Sequence, residues 1–128
     1  MDMQLKTIGI VRSSINRLED CPRQEHEDAP EVVIEVHADY TRSMSDIKAG
    51  DDLIILTWLD KANRDVQETR PRNDPNAPLT GIFSTRSPDR PNPIGIHFVK
   101  VTGVSGNQLF IDRMEVLNET PVVDIKVA

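Results

Sequence analysis

The 128-residue chain has a single cysteine, Cys21, so no internal disulfide can form and nothing in its thiols points to an oxidising compartment. It has no long apolar run: the longest, Leu53–Leu56, falls far short of the roughly 20 residues that span a bilayer. The N-terminus, MDMQLKTIGIV, carries an acid at its second position and resembles neither a secretory signal nor a membrane anchor. A soluble cytoplasmic protein is expected. Helical periodicity is nearly absent, and so are internal repeats and low-complexity tracts. No Gly-x-Gly-x-x-Gly phosphate-binding turn is present. The three histidines, His26, His37 and His97, stand at no metal-ligand spacing with one another or with Cys21, so no metal site is expected. Surplus positive charge is missing too. The net charge of −6 argues against broad, non-specific adhesion to nucleic acid.

What the chain does have is short apolar runs rich in β-branched residues, separated by Gly, Pro, Asn and Asp. These predict strands over 7–13, 32–36, 53–59, 81–85, 95–104, 108–117 and 122–126. Ser105-Gly106-Asn107 reads as a hairpin turn between two of them. Ser43–Lys48 is the best helical turn, with Ser45 as its cap and Gly50 as its stop. Many short strands at this spacing predict one all-β domain over residues 1–128, an antiparallel barrel or sandwich with short helical turns and long loops. Two polar stretches break the pattern: Arg17–Pro30, and Asn63–Leu79 with Pro71, Pro75 and Pro78 and the arginines Arg64, Arg70 and Arg72. Loops this long in a small domain are commonly binding segments, and both are read so here. Charge is uneven as well, at −7 over residues 1–60, +3 over 61–100 and −2 over 101–128. The one basic segment is therefore the one richest in Pro and Arg.

Within it, Gly81–Gly95 reads G-I-F-S-T-R-S-P-D-R-P-N-P-I-G. An apolar pair, Ile82-Phe83, runs into prolines at 88, 91 and 93. Proline fixes its own φ and biases the residue before it toward extended backbone, so Ser87, Arg90 and Asn92 are tightly restrained. A rigid loop loses little entropy on meeting a ligand. Arg86 and Arg90 offer planar forks for a carboxylate, a phosphate or a base face, and Asn92 offers both a donor and an acceptor. These properties suit a rigid structural turn and a binding loop alike.

The string resembles the signature of the tRNA-methyltransferase O family, also called the TsaA-like domain, whose core reads approximately F-A-T-R-S-P-x-R-P-N-P-I-G. Ile8-Gly9-Ile10-Val11 with Ser13 resembles the family's opening strand, and Pro22-Arg23-Gln24 its P-R-Q element. Thr120-Pro121-Val122-Val123-Asp124-Ile125-Lys126 resembles its closing T-P-V-x-D-I-K. The resemblance implies a flattened antiparallel β-barrel that binds S-adenosylmethionine without a Rossmann domain, as a homodimer with the site near the subunit boundary. It also implies N-methylation of threonylcarbamoyl-modified adenosine beside the anticodon of tRNA.

Carried over residue by residue, the resemblance implies cofactor contacts at Pro22, Arg23 and Gln24, at Asp60 and Lys61, at Arg86, at Ile96 and at the turn Leu117-Asn118-Glu119-Thr120. The family commonly writes that turn L-D-G-T. Asn and Glu stand here for Asp and Gly, and the loss of Gly is expected to bear on the turn's backbone, since Glu disfavours positive φ. Asp60 stands where relatives often have His. Asp60 and Asp89 are candidates for a general base, and nothing in the sequence selects between them. Arg64, Arg70 and Arg72, with Arg90 and Asn92, are candidates for holding a polyanionic substrate. Cys21, without a positioned base, is not read as a nucleophile. Two other functions remain: a methyltransferase for a smaller acceptor, since many bacterial relatives continue past the point where this chain ends, and a non-catalytic S-adenosylmethionine-binding module.

Overall fold

Alternation of buried and exposed side chains organises the chain, as in Val32-Val33-Ile34-Glu35-Val36, where every second residue is buried. The computed structural model describes residues 1–14, 31–71 and 74–128. Its strands are β1 (Gly9–Arg12), β2 (Val32–Val36), β3 (Asp52–Trp58), β4 (Glu68–Thr69), β5 (Thr80–Gly81), β6 (Ile94–Ser105), β7 (Gln108–Ile111) and β8 (Pro121–Val127). Six of them pair antiparallel in the closed order β1-β2-β7-β6-β3-β8, with β8 returning to β1 through Gly9↔Val122 and Ile10↔Pro121. β4 and β5 form a separate two-stranded ribbon.

The core lies inside this ring. Val11, Ile34, Ile55, Val101, Leu109, Ile111 and Val122 are all buried there, with Met44, Met114 and Val116 packed among them. The hairpin between β6 and β7 turns on Gly106, whose φ of 59° suits a two-residue turn with glycine first.

Three expected elements are corrected. The strand expected over 81–85 is instead a 3-10 turn, Ile82–Ser84, because the Thr85 backbone N–H and its hydroxyl both donate to the Ile82 carbonyl, at 3.1 and 2.8 Å. The strand expected over 108–117 stops at Ile111. There the Asp112 carboxylate accepts from the N–H groups of Lys100 and Arg113, taking donors that a continuing ladder would use. The helical turn lies earlier than expected, as a 3-10 helix over Ala38–Met44, and Ser45 ends it rather than starting it. The Asp51 carboxylate holds the Lys48 N–H in a separate turn that Gly50 (φ 95°) allows.

A polar contact lies between β3 and β6 within the apolar interior. Thr57 and His97, both buried, share a hydrogen bond between Oγ1 and Nε2 at 3.0 Å. Gly95 stands beside them, where an added Cβ would lie 2.5 Å from Thr57 Oγ1 and 2.9 Å from His97 Nε2. At an ordinary strand position alanine is preferred to glycine by about 0.5–1 kcal/mol. Here the sign should reverse. Gly95→Ala is expected to lower the unfolding free energy by about 1–3 kcal/mol in a urea titration; a variant as stable as the parent would show that β3 and β6 have room to spare.

Candidate functional site

Strand direction alone gathers the long connections. β1, β3 and β7 end where β2, β6 and β8 begin, so residues 13–31, 59–93 and 112–120 all connect strands at one end of the ring. Nearly every residue named above as a candidate lies in these three connections; Ile96 lies just inside β6. Pro22, Arg23, Gln24 and Arg72 lie outside the described residues.

The signature loop is held by its own polar groups. Prolines at 88, 91 and 93 remove N–H donors, which leaves carbonyls without backbone partners. Arg90 turns inward and supplies what is missing: Nη1 donates to the carbonyls of Thr85 (3.1 Å) and Ser87 (3.0 Å), and Nη2 to that of Ile82 (3.4 Å). Thr85 Oγ1 and Ser87 Oγ accept from the N–H groups of Ser87 and Asp89, each at 3.2 Å. A second set of bonds joins this loop to the segment after β3. Asp89 Oδ1 accepts from the Asn63 N–H (2.8 Å). Arg64 donates to the Pro91 carbonyl (2.8 Å) and to Asn92 Oδ1 (3.2 Å) while its guanidinium lies 5.2 Å from the centre of the Trp58 ring. Leu59 N–H and the Pro93 carbonyl complete the seam at 2.8 Å. Arg64, Arg90, Asn92 and Asp89 thus build the loop.

Arg86 is different. It is exposed, and among the described residues it makes no hydrogen bond or ion pair. Its guanidinium lies 5.8 Å from the centre of the Phe98 ring, so it is supported on an apolar face with its donors free. That face is the outer surface of β3 and β6, where Trp58↔Ile94, Leu56↔Ile96 and Ile54↔Phe98 pair across the strands. Ile96 therefore sits at its centre. Asp60 and Lys61 follow β3 directly, and both side chains are exposed and uncommitted among the described residues. Arg70 donates to the Ala77 carbonyl at 2.6 Å, bracing the long loop from within.

The turn Leu117–Thr120 is fastened to the end of β1. The Glu119 N–H donates to the Val11 carbonyl (2.7 Å), and the Val11 N–H to the Thr120 carbonyl (2.9 Å). Asn118 Oδ1 accepts from the Ser13 N–H, and buried Thr120 closes the turn through its hydroxyl on the Leu117 carbonyl. Glu119 adopts φ 70°, a left-handed backbone that glycine takes freely and Glu does not. The turn keeps a shape that suits glycine, and Glu bears the strain. Its carboxylate reaches Arg12 at 3.6 Å, but the Glu119 side chain is 69% exposed, so the pair offsets little. Arg12 also pairs with Glu35. An open groove of about 640 Å³ lies alongside, between Arg12, Ser14, Glu31, Thr102, Phe110 and Asn118.

No hydrogen bond or ion pair joins Arg86 to the turn Leu117–Thr120 among the described residues. Sequence reasoning missed Phe98 and Arg12. The signal for Phe98 was present: β6 is apolar on both faces, which predicts that its outer face meets something. No cluster of His, Cys, Asp or Glu fit to hold a metal occurs among the described residues. Among the described residues the only clear pKa displacement is remote: Asp52, through a hydrogen bond and its charge, raises Lys100 where β3 begins.

These features define an all-β domain that gathers its long candidate loops at one end and carries no nucleotide-binding Rossmann turn. The tRNA-methyltransferase O N-terminal domain matches residues 10–127. A probable S-adenosyl-L-methionine-binding protein of Methanocaldococcus jannaschii is 36% identical over 96% of this chain and 90% of its own length. An S-adenosyl-L-methionine-binding protein of Archaeoglobus fulgidus is 36% identical over 97% and 88%. The crystal structure of TrmO from P. aeruginosa superposes with a TM-score of 0.77 at 25% identity, covering all of this chain and 55% of that one. The chain belongs to the tRNA-methyltransferase O N-terminal domain family.

The strain at Glu119 gives a direct test. Glu119→Ala and Glu119→Gly both remove the carboxylate, and only glycine relieves the backbone. The Gly variant should exceed the Ala variant in unfolding free energy by about 1 kcal/mol; equal stabilities would contradict a left-handed residue there.

Proposed function

We propose that the chain is an S-adenosylmethionine-dependent methyltransferase acting on tRNA, transferring a methyl group to a nitrogen of threonylcarbamoyl-modified adenosine beside the anticodon. One observation carries the reading. In a chain of this family, the signature loop is built by Arg64, Arg90 and Asp89, and Arg86, among the described residues, is left with free donors on an apolar face. A guanidinium beside Phe98 and Ile96 fits a ligand with one carboxylate and an apolar or aromatic body, which describes S-adenosylmethionine. Binding of that cofactor is also the property named for relatives that match almost the whole chain.

Bound here, the cofactor supplies a methyl group activated on a sulfonium. The chain's part is to bind, orient and shield. Arg86 would meet the carboxylate, and Ile96 and Phe98 the apolar body. The turn Leu117–Thr120 and the segment Pro22–Gln24 would complete the contacts. Asp60, exposed at the end of β3, and Asp89 are the candidates to receive the proton from an attacking nitrogen. Asp89 is already bonded to the Asn63 N–H, so Asp60 is the freer of the two. Arg70 and Arg72 remain the candidates for holding substrate phosphates. Arg64 and Arg90 contribute by shaping the loop that presents them.

We also read the closed ring as the family's flattened barrel, working as a homodimer in the cytoplasm. The support for a dimer is the apolar outer face of β3 and β6, where Phe98 is 54% exposed and Ile94 and Ile96 lie beside it. A second reading, a module that binds the cofactor without transferring its methyl group, rests on Asp60 in place of the family's His. The chain spans 55% of the solved TrmO chain, and the activity of the whole of that protein is carried over as a proposal.

Calorimetry with S-adenosylmethionine tests the cofactor directly. Arg86→Ala should weaken binding about 10- to 100-fold, the loss of a charged hydrogen bond, and unchanged affinity would put the site elsewhere. Affinity for tRNA should fall steadily with added salt; an affinity indifferent to salt would rule out docking through Arg70 and its neighbours.

A further inference from the structure

Phe83 is the most exposed aromatic side chain among the described residues, at 84%. It is not on a loose tip. Its neighbour Ile82 is buried, and the 3-10 turn Ile82–Ser84 that carries both is fixed on two sides. The Ile82 N–H donates to the Gln67 carbonyl at 2.9 Å. The Ile82 carbonyl accepts three times, from the Thr85 N–H, from Thr85 Oγ1 and from Arg90 Nη2. An aromatic ring is thus held outward on a rigid support, three residues from the uncommitted Arg86.

Its charge setting narrows what it can meet. The chain as a whole is at −6, and residues 61–100 alone are at +3. Phe83 therefore projects from the one segment with a surplus of positive charge, with Arg70 and Arg86 in the same connection. An exposed ring among arginines suits a flat, electron-rich partner attached to a polyanion. A nucleobase on a phosphate backbone has that chemistry, and stacking on a pre-placed ring needs no particular base.

We infer that Phe83 is a stacking platform for an unpaired nucleobase of the RNA substrate, separate from the cofactor contacts. This rests on the tRNA reading proposed above. The methyl-accepting base, or the one next to it, would be splayed from the anticodon loop and laid against the ring, with Arg70 near the flanking phosphates. The role is one of substrate positioning.

The test compares Phe83→Ala, Phe83→Leu and Phe83→Trp in the full chain, using a synthetic anticodon stem-loop RNA for affinity and S-adenosylmethionine for calorimetry. Both Ala and Leu should weaken RNA binding about 5- to 100-fold, the size of one base–aromatic stack. Trp should bind as well as the parent or better, and all three variants should keep the parent's cofactor affinity and oligomeric mass. Leu binding RNA like the parent would overturn stacking in favour of simple apolar contact. A parallel loss of cofactor affinity, or a change in oligomeric mass, would move Phe83 to the cofactor pocket or to a protein interface and also overturn the proposal. If the parent binds the stem-loop and the Ala variant binds it equally, the proposal alone fails; if the parent binds no RNA, the tRNA reading fails with it.

Discussion

Closing six antiparallel strands into a ring is the constraint on which the rest of this molecule depends. Closure gives every strand two partners and sends alternate side chains into one shared interior. It also fixes where each connection must emerge. Antiparallel order puts residues 13–31, 59–93 and 112–120 at one end, and residues 37–51 and the β6–β7 hairpin at the other. The joint between β1 and β8 is short, two register pairs, yet the backbone bonds beside it seat the turn Leu117–Thr120 against Val11. A stable core and a gathered set of loops are therefore consequences of the same pairing.

The signature segment shows how composition becomes geometry. Its prolines stiffen the backbone and at the same time leave carbonyls without donors. Arginine, with five donors in a planar fork, is suited to answer several carbonyls at once. Arg90 does so within the loop, and Arg64 does so from the segment after β3. The frequency of Arg and Pro in this stretch thus has a structural cause before any ligand is considered. What stands out against it is Arg86, whose donors are unused among the described residues. Gly95 closes the segment for a steric reason, since the Thr57–His97 contact occupies the space a side chain would need.

Much of the fold was legible in the sequence. β2 matches its expected range, the Gly106 hairpin falls where the turn residues put it, and the all-β antiparallel character follows from period-two alternation. Two of the three errors share one cause: side chains of Thr85 and Asp112 compete for backbone groups, and that competition has no periodic signature. For the same reason Phe83, read as part of a strand, turns outward on a 3-10 turn. Within the candidate site, residue type could not separate arginines that build the loop from Arg86, whose donors are unused among the described residues. Only the bonds do that. The turn at Glu119 is the reverse case, where the expected conflict between Glu and a left-handed backbone is present and the backbone has prevailed.

Family membership supports a domain that binds S-adenosylmethionine, and the pre-built loop with Arg86 on an apolar face underlies the proposal that it positions an acceptor beside that cofactor. The most direct test is methyl transfer itself. Purified protein would be incubated with isotopically labelled S-adenosylmethionine and tRNA carrying threonylcarbamoyladenosine, and the digested nucleosides read by mass spectrometry. The label should appear on that nucleoside and be absent from tRNA lacking the modification. Cofactor binding with no labelled nucleoside would contradict the enzyme reading and leave a binding module in its place.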